Sequence, residues 1–171
     1  MREPVAVAAH AVKRAGAIAG KSAAVFGAGP IGLLLIQAFK AMGGGKVTCI
    51  DMIDERLKVA KTLGADKIVN AKSSCDFTNY SDVAFETAGA ESATAKLFNT
   101  VKTGGTVVQV GWPSKDVIGM NIATFIDREL TYTGVNRYAN AFGQAICYVS
   151  DNRIQVTPLI THRFKLQEIS K

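Results

Sequence analysis

Three glycines, Gly27, Gly29 and Gly32, stand in a G-x-G-x-x-G spacing directly after the apolar run "AAVF", and an acid, Asp51, follows nineteen residues after the last of them. In such a loop each glycine has its own task. The first permits a tight strand-to-helix turn, the second lets a pyrophosphate approach the backbone, and the third lets the helix lie close to the strand. Free N–H groups and the positive dipole end of the following helix then attract the diphosphate. Pro30 suits the first helical position, where its missing N–H costs nothing. Asp51 ends the next apolar run, where a carboxylate accepts hydrogen bonds from ribose hydroxyls and repels a 2′-phosphate, favouring NAD over NADP. Plainer readings stay open at this point: a turn before a packed helix for the triplet, and a strand-end or N-cap acid for Asp51. So does an S-adenosylmethionine site, which also uses a glycine-rich turn and an acid after the second strand.

These residues need a sheet to hold them. From residue 22 onward short β-type runs alternate with helical patterns, the signature of βαβ units. Strands are predicted at 23–27, 46–50, 67–70, 82–87, 106–111 and 129–134, and six is the count of a full dinucleotide-binding sheet. The expected fold class is therefore α/β: a Rossmann-type, doubly wound, six-stranded parallel sheet with helices on both faces. Residues 31–42 are apolar on nearly every side, as in a helix packed between the sheet and another layer, with Gly43 as its stop. Residues 54–63 place Leu57, Ala60 and Leu63 on one stripe, with Asp54 as N-cap and Gly64 as stop. Two more amphipathic patterns cover 90–101 and 138–150. Between the third and fourth strands only "AKSSCDFTNYS" intervenes, about the minimum for a parallel crossover, and no full helix is expected there.

Composition narrows the function classes. Apolar residues make up 48% and charged residues 20%, and no uncharged apolar run is long enough to cross a bilayer. The net charge of +6 comes from scattered Lys and Arg without interleaved aromatics, which argues against a nucleic-acid partner. Glu3, His10, Lys13 and Arg14 interrupt any signal-peptide core near the start, so a cytoplasmic protein is expected. Cys49, Cys75 and Cys147 form no C-x-x-C pair and read as reduced thiols.

Several segments together resemble the medium-chain, zinc-dependent alcohol and polyol dehydrogenases, and within them the sorbitol and xylitol dehydrogenase branch. They are "EPVAVAAHA" (3–11), "GAGPIG" (27–32), "ERLKVAKTLGAD" (55–66), "ETAGAE" (86–91), "GGTVVQVG" (104–111) and "ITHRFKL" (160–166), in family order along nearly the whole chain. The resemblance implies hydride transfer between a polyol or ketose and NAD, with zinc as Lewis acid. It also implies a separate catalytic domain carrying most of the zinc ligands. On that basis residues 1–21 are a lead-in helix from that domain, 22–152 the NAD-binding domain and 153–171 the start of the return. The chain would then be a fragment with little turnover of its own. The rival class is a non-catalytic nucleotide-binding or regulatory module.

Residue by residue, the resemblance makes Glu3 a zinc ligand or partner of zinc-bound water, and aims Arg137 and Tyr138 at substrate. Without the family match, Glu3 is a charge in a frayed terminus and the Arg-Tyr pair a loop before a helix. It assigns backbone contacts from Pro30 and Ile31 to the diphosphate, a ribose contact to Asp51 and a place beside the adenosine to Arg56, otherwise a solvated charge. Thr87 and the pair Val110–Gly111 line the adenine and nicotinamide sides of the cleft, and Asn136 sits at the carboxamide end. His10 and His162, the only histidines, have no zinc-ligand spacing and read as structural. The family associates through the edge of this sheet, which makes "ELTYTG" (129–134) the expected oligomer edge.

Overall fold

A computed structural model describes residues 1–168; the last three residues of the expected return segment lie outside the described residues. Helix α1 (Arg2–Arg14) leads into β1 (Ala23–Phe26), α2 (Pro30–Ala41), β2 (Val47–Asp51), α3 (Asp54–Thr62) and β3 (Lys67–Asn70). The chain then crosses to β4 (Ser81–Glu86), α4 (Glu91–Thr100), β5 (Val101–Gln109), α5 (Ile122–Asp127), β6 (Thr131–Gly134) and α6 (Phe142–Ser150), and ends in two short 3₁₀ turns. All six strands are parallel and lie in the order β3-β2-β1-β4-β5-β6. Sequence order reverses between β1 and β4, which makes a crevice at the C-terminal ends of those strands.

Helices cover both faces. Val25, Phe85 and Val108 share one core with α1, α2, α3 and α6, while Ala24, Phe26, Ala84 and Val107 share another with α4 and Phe125 of α5. The all-round apolar character of α2 has its reason here, since α2 lies between β1 and α1. Val5, Ala6, Ala8, Ala9, Ala11 and Val12 of α1 are all completely buried, so this helix is part of the core. Among the described residues no helix is long and apolar enough to cross a membrane.

The departures from expectation are local. β5 begins at Val101, straight after α4, because Val101 is completely buried and pairs with Ser81 ahead of the regular register. α6 starts at Phe142, since Arg137 and Asn140 take positive φ and delay the helix. Asp54 is the first helical residue of α3 and Ile53 the N-cap; the Asp54 carboxylate instead accepts a hydrogen bond from Asn70 Nδ2 (2.7 Å). Gly43 and Gly64 do end their helices, with φ of +91° and +106°. The short helix α5 has no counterpart in the sequence pattern; Asn121 Oδ1 caps it by accepting from Thr124 N (3.1 Å).

Residues 71–80 form no helix, as their number requires. They arch over the α4 face of the sheet from top to bottom. Ala71 N–H bonds Asp51 O (2.9 Å) at one end, and the N–H groups of Asn79 and Tyr80 bond Asn99 O (3.0 Å) and Thr100 O (2.8 Å) at the other. In place of a helix, Phe77 packs edge-on against Phe26 (6.3 Å between centroids) and Tyr80 (5.5 Å). Lys67 caps the Tyr80 ring.

Candidate functional site

The site is built from the ends of β1, β2 and β4. Gly27 leaves β1 with φ +106° and donates its N–H to Ile50 O (2.8 Å), so the turn starts in a conformation glycine adopts without strain. A Cβ on Gly32 would stand 1.9 Å from Gly27 O, so the third glycine is what lets α2 approach β1. Gly29, the N-cap of α2, has open space where a Cβ would lie. Packing within the protein therefore does not explain that glycine, whereas a ligand approaching the first turn of α2 would.

Thr87 closes the loop from the β4 side. Its hydroxyl is shared between the carbonyls of Phe26 (2.9 Å) and Gly27 (3.0 Å), and its N–H bonds Phe26 O (2.9 Å). Asp51 closes it from the β2 side. Oδ2 accepts from Ala28 N (2.7 Å) inside the glycine loop, and Oδ1 accepts from Ile53 N (2.9 Å) ahead of α3. Each oxygen keeps a lone pair for a further donor. Behind it, burial, helped by the Asp51 charge, pushes the Cys49 thiol up to about 12, so this cysteine is an inert core residue.

A cavity of about 590 Å³ opens at these strand ends. Gly27, Gly29, Asp51, Arg56 and Thr87 line its upper part, and Phe77 and Cys75 of the arch with Lys96 and Asn99 of α4 extend it down the sheet. The ten-residue arch stands where a helix would otherwise cover this face, and its Cys75 and Phe77 form part of the cavity wall. Arg56 itself is exposed.

The remaining predicted site residues lie elsewhere. Pro30 and Ile31 open α2 beside the cavity. Val110 and Gly111 leave β5, their N–H groups bonded to Glu86 O (2.8 and 2.9 Å). Asn136 and Arg137 are exposed in the loop after β6, Arg137 with φ +56°, and the half-buried Tyr138 packs against Phe142 (5.3 Å). Glu3 is exposed in the first turn of α1. Among the described residues no three His, Cys, Asp or Glu side chains converge as a metal would need, so the residues present do not by themselves fit zinc. His162 is exposed and stacks on Phe164. His10, half-buried, is held below the usual imidazole range by burial and then by Arg14 and Lys13.

Two features escaped the sequence reading. The arch wall around Phe77 had no visible signal beyond the shortness of its segment. Glu86 did carry one: it is the lone acid near the end of the apolar run "DVAFET", and it is completely buried.

A doubly wound parallel sheet with a glycine turn and a strand-end carboxylate at its switch point defines the Rossmann class of α/β proteins. The family model for zinc-binding dehydrogenases matches residues 30–151, and the chain belongs to this family. It is similar to sorbitol dehydrogenase of Bacillus subtilis, with 32% identity over 97% of this chain and 49% of that protein. The structure of L-idonate 5-dehydrogenase from Escherichia coli superposes with a TM-score of 0.86 at 31% identity, over 92% of this chain and 47% of that one. An alcohol dehydrogenase structure from Escherichia coli, complexed with NADH, superposes with a TM-score of 0.90 at 26% identity, over 99% and 52%. The chain thus spans about half the length of the curated relatives it matches.

Proposed function

We propose that this chain binds NAD and forms the cofactor-binding part of a zinc-dependent polyol dehydrogenase, serving hydride transfer between a polyol and its ketose. The observation that carries this reading is Asp51: its carboxylate is tied to the glycine loop through Ala28 N and lines the same cavity as Gly27 and Gly29. The diphosphate would lie on the first turn of α2, at Gly29, Pro30, Ile31 and Gly32. Asp51 would accept from the adenosine ribose, and Arg56 would flank the base. Thr87 orients the loop through Gly27 O, and Val110, Gly111 and Asn136 would border the nicotinamide. NAD supplies the hydride acceptor; this chain's residues bind it, orient it and keep water off one face.

Glu3, Arg137 and Tyr138 are proposed to face the substrate side. Because the residues present do not gather a zinc site, no step of the reaction is assigned to a metal held by this chain. The same reading places the protein in the cytoplasm and pairs copies along the β6 edge, an outer strand of the sheet with two exposed threonine-tyrosine neighbours, Thr131 and Tyr132.

Calorimetry with NAD and NADP tests the core of the proposal. NAD is expected to bind at least about tenfold more tightly, because a 2′-phosphate would sit against the Asp51 carboxylate. Equal or tighter binding of NADP overturns the role given to Asp51.

A further inference from the structure

Glu86 ends β4 between Phe26 of β1 and Gln109 of β5 in the strand register. Its neighbours two residues down on the same face, Ala84 and Val107, are apolar and completely buried, and so is Glu86. A carboxylate in such a place requires donors, and it has three. Oε1 accepts from Ala88 N (2.9 Å) and Gly89 N (3.0 Å), and Oε2 accepts from Gly89 N (2.9 Å) and Gln109 Nε2 (2.8 Å). Gln109 Nε2 also donates to Gly111 O (2.9 Å), while Glu86 O takes the N–H groups of Val110 and Gly111. One residue therefore ties the turn after β4 to the turn after β5.

The two turns meet backbone to backbone. A Cβ on Gly111 would stand 2.4 Å from Gly89 N and 2.5 Å from Glu86 Oε2, and one on Gly89 would stand 2.3 Å from Trp112 O. Gln109 holds its amide nitrogen toward Glu86 although this leaves its buried Oε1 without a partner among the described residues. Turning the amide over would place its oxygen against both Glu86 Oε2 and Gly111 O, so these two acceptors fix the observed orientation. Burial raises the Glu86 carboxyl, and the Gly89, Ala88 and Gln109 donors oppose that rise.

We propose that Glu86, acting through Gln109, is a positioning residue for the dinucleotide: it sets the spacing between the 87–90 turn and Val110–Gly111, on which the nicotinamide half of the cofactor rests. This builds on the proposed NAD site and adds a residue that touches neither cofactor nor substrate. A packing role alone would have been served by an apolar side chain, as at Ala84 one row below.

The test uses the 171-residue chain and measures NADH by its fluorescence on binding and ADP-ribose, which lacks the nicotinamide ring, by calorimetry. Glu86→Ala is expected to weaken NADH about tenfold or more while ADP-ribose changes less than about threefold. Glu86→Gln, which keeps one acceptor oxygen, should restore part of the NADH affinity, and Gln109→Leu should shift NADH in the same direction as Glu86→Ala. Leu97→Ala, which empties buried volume under the same face, should lower the melting temperature without separating the two ligands. Equal losses for NADH and ADP-ribose, or losses that follow melting temperature across all four variants, overturn the proposal. Failure of the unaltered chain to bind NADH would instead sink the NAD site itself.

Discussion

The side of the cleft proposed for adenosine and the side proposed for substrate are built in opposite ways. Around Asp51 every piece is tied: Ala28 and Ile53 to the carboxylate, Gly27 to Ile50, Thr87 to Phe26 and Gly27, and all but Ala28 border one cavity. Among the described residues nothing comparable surrounds Glu3, Arg137 and Tyr138. Glu3 and Arg137 are exposed, Tyr138 leans on Phe142, and no cavity among those described gathers the three. The preorganisation of the first group and the dispersal of the second follow from where the residues sit. The first group lies at the carboxyl ends of central strands, where the sheet fixes directions; the second lies on one helix end and one loop.

The sharpest way to break this contrast is Gly32→Ala. Its Cβ would fall 1.9 Å from Gly27 O, so α2 must withdraw from β1. The expected cost is about 3 kcal/mol or more of stability, with NAD affinity down about a hundredfold. A thermal melt within about 2 °C of the unaltered chain would refute it. Next in size is Asp51→Asn. Loss of the charge on a residue that holds Ala28 N and Ile53 N should weaken NAD about tenfold and erase the preference over NADP; an unchanged NAD-to-NADP ratio in calorimetry counts against it.

A smaller effect concerns pH and lies at the opposite end of the sheet from the site. Burial alone would raise the Asp82 carboxyl, but the Ser22 hydroxyl (2.6 Å) and N–H (2.7 Å) with Lys102 (2.9 Å) outweigh it and bring it down to about 2. A depressed carboxyl stabilises the fold above its unfolded value and loses that contribution as pH falls through the folded one. Between about pH 4 and pH 2 the chain should therefore lose about 1–2 kcal/mol through this group, after allowance for its partial exposure. Urea melts of Asp82→Asn should lack that share of the slope while NAD binding at neutral pH stays put. The smallest effect sharpens the comparison from the other side: Glu3→Gln should leave NAD affinity within about twofold, and a larger shift would mean that the start of α1 reaches the cofactor.

Much of this is legible in the sequence. The alternation of strands and helices, the stops at Gly43 and Gly64, and the turn at Gly27 each depend on a few neighbours in the chain, and short-range sterics leave little choice. α5 was hidden because six residues carry too little periodicity to register. The start of β5 was hidden because Val101 follows α4 without a break, and only its pairing with Ser81 tells strand from helix. Glu86 is one letter of a motif in the sequence, and its role depends on its neighbours across β1 and β5.

What the sequence by itself determined is the fold class, the glycine turn and the acid that follows it, since backbone conformation and hydrophobic period are written locally. The tertiary structure alone decided that the short 71–80 segment leaves a cavity rather than a filled layer, that Thr87 and Asp51 clamp the same loop from two strands, and that Glu86 joins the turns after β4 and β5. Those outcomes rest on contacts between residues such as Phe26 and Phe77, or Gly27 and Thr87, that are distant in the chain. Hydrogen bonds and close packing act through space, and only the folded sheet brings their partners within range.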